Sequence, residues 1–457
     1  MLLLIISGAA VLVIYYRIHF FNNVFIDYNF MEKLIELHIN DFRAIDKADI
    51  ILNGITVVSG INGSGKSTMS KLLYDVFKYA NDFEKLVLQE ANDELSSVLN
   101  ILEQLVSYSL RTSHEANMSA YRSLFYYRRT PISTFEEIPT FVANVKTICK
   151  QFIESIKTSE DNRIDLFSPR LKRILGLKDI DTIQDVETTL DKIKKKIQDI
   201  INKAQKKYEE RPLSLIKNRL ISDFNQMPNF SISEYGEQIL KSRVPILHYI
   251  KKTLYIDTPM AIGVDPSYGL PQHWNDMNRI IKDTSHRGYN RSINNILKNE
   301  ILNGDVVFEK SDFSESFKYK RNDQKVFDLR ECATGIKSMA LLQLLLKNRF
   351  LDENTLLIID EPEAHLHPQW IVEYARILVL LHKKVKVKFF ITSHSTDMVS
   401  AIKYISEKER VDRNVSFYVA QENSQHKYSY TYLENDIEPI FASFNKSFDI
   451  LSSYVEK

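Results

Sequence analysis

The chain is poor in several of the residues that mark specialised protein classes. Two cysteines in 457 residues, Cys149 and Cys332, exclude a disulfide framework and fit a reducing compartment. Net charge is +1, from 60 Lys and Arg against 59 Asp and Glu. No global basic excess points to nucleic acid, so any such contact is a local patch. Glycine is scarce at 12 residues and nearly absent between about residues 80 and 245, where charged and apolar residues mix at helical spacing. There is no internal repeat and no low-complexity tract. What remains is ordinary globular composition, 44% hydrophobic and 26% charged, long enough for two or three structural units with a sizeable core.

Long apolar runs are missing too, apart from residues 2–16, which precede Arg17. A bilayer span needs about 18 to 20 such residues, and a signal peptide wants a basic start. Two readings stand. One is a short anchor with Arg17 holding the rest of the chain inside the cell. The other, which we expect, is translation from Met31, with residues 1–30 a spurious extension and the protein cytoplasmic.

Beyond that point the chain carries motifs. Ile35, Leu37 and Ile39 alternate with Glu36, His38 and Asn40, which predicts a half-buried strand; residues 46–52 and 55–59 predict two more. The last runs into GINGSGKST, residues 60–68, followed by a helix over 67–79 with Leu72, Leu73, Val76 and Phe77 on one face. Gly60-x-x-x-x-Gly65-Lys66-Ser67 is a complete phosphate loop in its proper setting. Gly60, Gly63 and Gly65 let the backbone curl so that the N–H groups of the loop, which also contains the nucleotide-binding candidates Asn62 and Ser64, face phosphates, and the helix N-terminus adds its dipole. Lys66 would reach the β- and γ-phosphates, Ser67 would hold Mg²⁺, and Thr68 completes the motif. The expected cofactors are ATP and Mg²⁺.

LLIIDE, residues 356–361, brings two acids to the end of an apolar strand. Asp360 would orient Mg²⁺ or its water, and Glu361 would polarise the attacking water. Two adjacent carboxylates there are costly without a cation. ITSHS ends the next apolar strand and places His394 for a γ-phosphate contact. ECATGIKSMALLQLL, residues 331–345, opens a buried helix at Thr334 and Gly335, with Lys337 one turn in. Lys66, Glu361 and His394 are the expected catalytic set.

Weaker signals remain. Ile183, Val186, Leu190, Ile193, Ile197, Ile200 and Ala204 step by threes and fours, as in a coiled coil or an amphipathic helix within a helical insertion; we expect the latter. The lysines at 194–196 and at 206–207 are its solvated face or a DNA-contacting patch. His365 and His367, with Glu363, alternate at a spacing open to metal ligands. Residues 304–310 and 316–330 predict strands around a turn at 321–323.

The order phosphate loop, Thr-Gly-x-Lys helix, DE strand, strand-end His resembles the ATP-binding-cassette ATPases. That resemblance implies an α/β P-loop NTPase head of ABC/SMC type, a mixed sheet with flanking helices, split by a large helical insertion. It implies a head-to-tail homodimer in which Thr334, Gly335 and Lys337 bind the γ-phosphate held by the other protomer. The chain departs from the transporter signature Leu-Ser-Gly-Gly-Gln and separates Lys66 from Asp360 by 294 residues, which argues against a transporter. INDFRAID with GINGSGKST looks like the N-terminal half-head of the RecF, SMC and OLD-type ATPases. There the residue matching Arg43 contacts nucleotide, and a Mg²⁺-sensing glutamine is expected, for which Gln89 is the early candidate. DEPEAHLHPQW looks like the bacterial AAA-type, OLD-like branch, where that segment faces the partner protomer. ATGIKS with DEPEAHLHPQW, plus a Phe-rich C-terminal helix with Phe441, Phe444 and Phe448 on one face, most resembles the ATPase subunit of Septu-type anti-phage systems, also found beside some retrons, which works with a separate HNH nuclease.

The expected organisation is therefore an extension over 1–30, an N-terminal ATPase half over 31–80, a helical insertion over 81–253, a C-terminal ATPase half over 254–430 and a helical tail over 431–457. The expected function is an ATP-driven switch for a partner effector. Alternatives are a RecF/SMC-type repair ATPase, a chain that is itself an OLD-like nuclease, and a membrane-linked transport ATPase. The 63 residues after His394 are too few for a fused Toprim nuclease domain.

Overall fold

The computed structural model describes residues 35–110, 131–157, 183–264, 269–285, 290–311, 315–364, 366–434 and 436–442, with Arg122, Tyr126 and Tyr454. The expectations for residues 1–30, His365, Phe444 and Phe448 lie outside these residues. By internal contacts the chain forms two units.

The first unit comprises the described parts of residues 1–81, 220–241 and 246–457. Its sheet begins with β1 (Ile35–Phe42), β2 (Ile45–Ile51) and β3 (Ile55–Ser59). Ile35, Leu37 and Ile39 are buried while their neighbours are not, the period-2 pattern of a strand with one covered face. β4 (Phe230–Glu234) and β5 (Glu237–Gln238) follow much later in the chain, then β6 (Lys252–Ile256). The last members are β10 (Thr355–Asp360), β11 (Lys388–Ser393), β12 (Val415–Ser424) and β13 (Lys427–Tyr432). The order across this 10-stranded sheet is β5-β4-β1-β2-β13-β12-β3-β11-β10-β6.

Strands β12, β3, β11, β10 and β6 run parallel, and the β1, β2 and β4 edge is antiparallel. β3, β10 and β11 are buried at every residue, as central parallel strands covered on both faces must be. Helix α1 (Lys66–Asn81) packs against β6, β10 and β11. The main core gathers alternate strand residues such as Val57, Leu357 and Phe389 with helices α7 (Thr334–Lys347), α8 (Pro368–Val385) and α9 (Thr396–Lys408). Helix α6 (Gln272–Lys282) adds Met277 and Ile281. A separate antiparallel sheet, β7 (Gly304–Lys310), β8 (Glu315–Arg321) and β9 (Val326–Asp328), matches the strands expected around the turn at 321–323.

The second unit comprises the described parts of residues 82–219 with 242–245. Helices α2 (Phe83–Leu110) and α3 (Ile138–Lys157) both pack on α4 (Ile183–Glu210). Leu190, Ile193, Ile197, Ile200 and Ala204 of α4 are buried, the amphipathic helix expected rather than an isolated coiled coil. Lys194 pairs with Asp191, Lys206 with Glu210 and Lys207 with Glu90, and Lys195 and Lys196 are exposed. The helical segment expected over 81–253 ends earlier. Helix α5 (Leu213–Phe224) leads back, and β4 pairs with β1, Ile232 opposite Leu37. Among the described residues no helix is long and apolar enough to cross a membrane.

Candidate nucleotide site

The register of the parallel strands sets the site. Ser393 stands opposite Ser59, and Asp360 opposite Thr392, so β3, β10 and β11 end together at one sheet edge. Gly60 to Gly65 form the turn between β3 and α1. Gly63 and Gly65 have φ of +81° and +101°, a region open to glycine but strained for other residues. A side chain at Gly65 would also meet Ile45 Cγ1 at 2.7 Å, and one at Gly60 would meet Ala420 Cβ at 2.6 Å. Tyr430 donates its hydroxyl to Ser64 O at 2.9 Å and braces the loop from β13. Asn62 and Ser67 are exposed, and Thr68 is half-buried.

Lys66 opens α1 and turns back over the loop, donating to Gly60 O and Ile61 O, both at 2.9 Å. Burial pushes its ammonium down to about 8, against the pull of Glu361, Asp360 and Glu363. Ser59 and Ser64 bury hydroxyls that have no protein partner. The loop thus holds a buried cation and two buried hydroxyls without a protein partner, beside the exposed residues Ile61, Asn62 and Gly63.

Asp360 is buried and accepts three hydroxyls. Ser70 and Thr392 donate to Oδ1, the latter at 2.8 Å, and Tyr255 donates to Oδ2 at 2.7 Å. Tyr255 also lies against His273, whose Nε2 is 2.9 Å from Asp257 Oδ2. Glu361 follows with φ +47°, its N–H bonded to Thr392 O at 3.0 Å. Its Oε1 lies 2.7 Å from His394 Nε2, close but outside the directed geometry of a hydrogen bond. Glu363 accepts from Ser393 Oγ and from the His394 N–H. Burial pushes its carboxyl above the ordinary value, and the charge of Glu361 adds to that.

The site therefore brings together Lys66, Asp360, Glu361 and His394 at the end of β3, β10 and β11. Other expected residues sit elsewhere. The Arg43 guanidinium donates to Phe224 O at 3.0 Å and stacks on Phe42 and Phe224. Gln89 belongs to the helical unit, where its Oε1 accepts from Arg219. Thr334 and Gly335 open α7, with Gly335 against Trp370, and the buried Lys337 ammonium rests 3.7 Å from Met260 Sδ. His367 caps α8, accepting from the Gln369 N–H. Sequence reasoning missed the hydroxyl donors to Asp360. Ser70 and Thr392 lie close to recognised motifs, but Tyr255 stands 105 residues from its partner with no local signal.

Hard oxygen donors are what Mg²⁺ takes, through one or two protein ligands with waters and phosphates completing the shell. The Asp360 carboxylate and the Ser67 hydroxyl fit that chemistry.

The AAA ATPase domain model matches residues 33–399, most of the chain. The chain belongs to the AAA ATPase domain family. This AAA ATPase also has structural likeness to heads of SMC proteins. One is the Smc head domain with an extended coiled coil, bound to the C-terminal domain of ScpA, from Pyrococcus furiosus. It is 12% identical, with TM-score 0.31, covering 92% of this chain and 99% of that one. Another is the SMC head domain from Thermotoga maritima, 10% identical, TM-score 0.34, covering 88% and 99%. No curated protein matches the chain.

Proposed function

We propose that this ATPase works as a nucleotide-driven switch. Lys66 leaves the Gly60 and Ile61 carbonyls to meet the β- and γ-phosphates, and the loop N–H groups cradle them. Asp360 and Ser67 would hold Mg²⁺, which would supply charge neutralisation at the phosphates. Glu361 orients and deprotonates the attacking water, and His394 contacts the γ-phosphate. The observation that carries this is the 2.7 Å approach of His394 to Glu361 at the sheet edge where the phosphate loop begins. Arg43 enters the nucleotide site only if it gives up its bond to Phe224.

Closure is by a second copy, head to tail. Thr334 and Gly335 at the start of α7 and the Lys337 ammonium, released from Met260, cover the nucleotide of the other protomer. Hydrolysis reopens the pair and signals to a separate effector, a nuclease subunit in anti-phage defence. The resemblance of ATGIKS and DEPEAHLHPQW to Septu-type subunits supports that last step. Tagged Glu361→Gln protein recovered from its host with ATP and Mg²⁺ tests it. Co-purification of a smaller nuclease chain is expected; recovery of this chain with none, under conditions that hold the nucleotide, sinks the effector reading and leaves a repair or recombination role.

A further inference from the structure

Glu363 has no part in the mechanism above, yet it ties together the two segments that carry Glu361 and His394. It lies in the turn after β10, where Ala364 N donates to Glu361 O and Leu366 N to Glu363 O, both at 2.9 Å. Its side chain reaches the end of β11. Oε1 accepts from Ser393 Oγ at 2.8 Å and from the His394 backbone N–H at 2.6 Å. The sheet ladder between β10 and β11 reaches Asp360 opposite Thr392, and the Glu361 N–H to Thr392 O bond extends it by one step. Glu363 adds the next crosslink, made by a side chain where the strands have ended. It holds backbone, so it fixes the point from which the His394 ring projects.

We propose that Glu363 is a positioning residue for ATP hydrolysis: by clamping the His394 backbone to the turn after β10, it sets the spacing between His394 and Glu361. This rests on the roles given to those two residues above. A displacement of about 1 Å at a reacting group can cost roughly 100-fold in rate. The bonding pattern also says what the clamp requires. Both donors go to Oε1, whereas Oε2 is buried with no protein donor. An amide at this position keeps the acceptor and loses no protein bond. Alanine leaves the Ser393 hydroxyl and the His394 N–H without their acceptor, and aspartate keeps the charge but shortens the reach by one methylene.

The test is steady-state ATP hydrolysis, with binding of a fluorescent ATP analogue, on the full chain carrying Glu363→Ala, Glu363→Asp, Glu363→Gln, His394→Ala, or Glu363→Ala with His394→Ala. Glu363→Ala and Glu363→Asp should each lower kcat by about 10–100-fold, with KM and analogue affinity within about 3-fold of wild type. Glu363→Gln should recover kcat to within about 5-fold of wild type. In the His394→Ala background Glu363→Ala should cost little more, because both changes remove one function. Should the alanine variant not fold, the aspartate and glutamine pair decides alone. Glu363→Gln as inactive as Glu363→Asp would overturn the proposal by requiring the charge itself. Independent, multiplying losses in the double variant would overturn it as well. His394→Ala at the wild-type rate would overturn the His394 role and the clamp together, whereas an inactive His394→Ala beside a fully active Glu363→Ala would overturn the clamp alone.

Discussion

The hydroxyl of Tyr255 donates to Asp360 Oδ2 at 2.7 Å, joining the ends of two adjacent parallel strands. With Ser70 and Thr392 it leaves Asp360 held from three sides. Groups that orient a metal-binding carboxylate are typically worth about 10–100-fold in metal affinity or activity. Tyr255→Phe should therefore raise the Mg²⁺ concentration for half-maximal hydrolysis by roughly 10-fold. A Mg²⁺ titration of the hydrolysis rate checks this; an unchanged midpoint would mean that Asp360 needs no such bracing.

Two glycines of the phosphate loop should respond differently to alanine. Gly63 has positive φ but open space around it, so Gly63→Ala meets backbone strain alone, about 1–2 kcal/mol. Gly65→Ala adds a collision with Ile45 and should be the more destabilising by thermal melting, with the greater loss of ATP binding. Equal melting temperatures for the two variants would contradict the packing described.

Lys66 predicts a pH dependence. Its folded value of about 8 lies below the ordinary 10.5, so the folded chain binds fewer protons than the unfolded one between those values. Its contribution makes the nucleotide-free protein more stable as pH rises across that window. Phosphate capture needs the ammonium charged. kcat/KM for ATP should fall above about pH 8, while kcat, which reports the nucleotide-bound state, should hold to higher pH. A pH profile of both parameters checks it.

Asp75 titrates with the opposite sign. Burial, and then the neighbouring Asp223, push its carboxyl up to about 8 against the pull of Lys71, and its Oδ2 has no protein donor. The folded chain binds more protons than the unfolded one between 3.8 and about 8, so this contribution to stability is lost as pH rises through that window. Asp75→Asn should melt higher than wild type at pH 8, by about 2–4 °C for each kcal/mol relieved, with the gap closing towards pH 4.

The fold was readable where local pattern and tertiary context agree. Alternation marked β1, unbroken apolar runs marked β3, β10 and β11, and the phosphate loop announced itself by glycines at fixed spacing. The split head followed from the long interval between Lys66 and Asp360. The end of the insertion was not readable, because FSISE is only five residues and finds its partner strand about 195 residues away in β1. Tyr255 and the link that Glu363 makes to β11 escaped for a related reason. Each is defined by a hydrogen bond to another strand, and nothing in its own neighbourhood encodes that bond.

The central claim is that ATP held by Lys66 and awaiting Glu361 closes two copies of this chain. Native mass spectrometry of Glu361→Gln protein, with and without ATP and Mg²⁺, tests it most directly. We predict a doubled mass that appears only with nucleotide and is lost when Lys66→Ala is added. Bound ATP at an unchanged single-chain mass would contradict it.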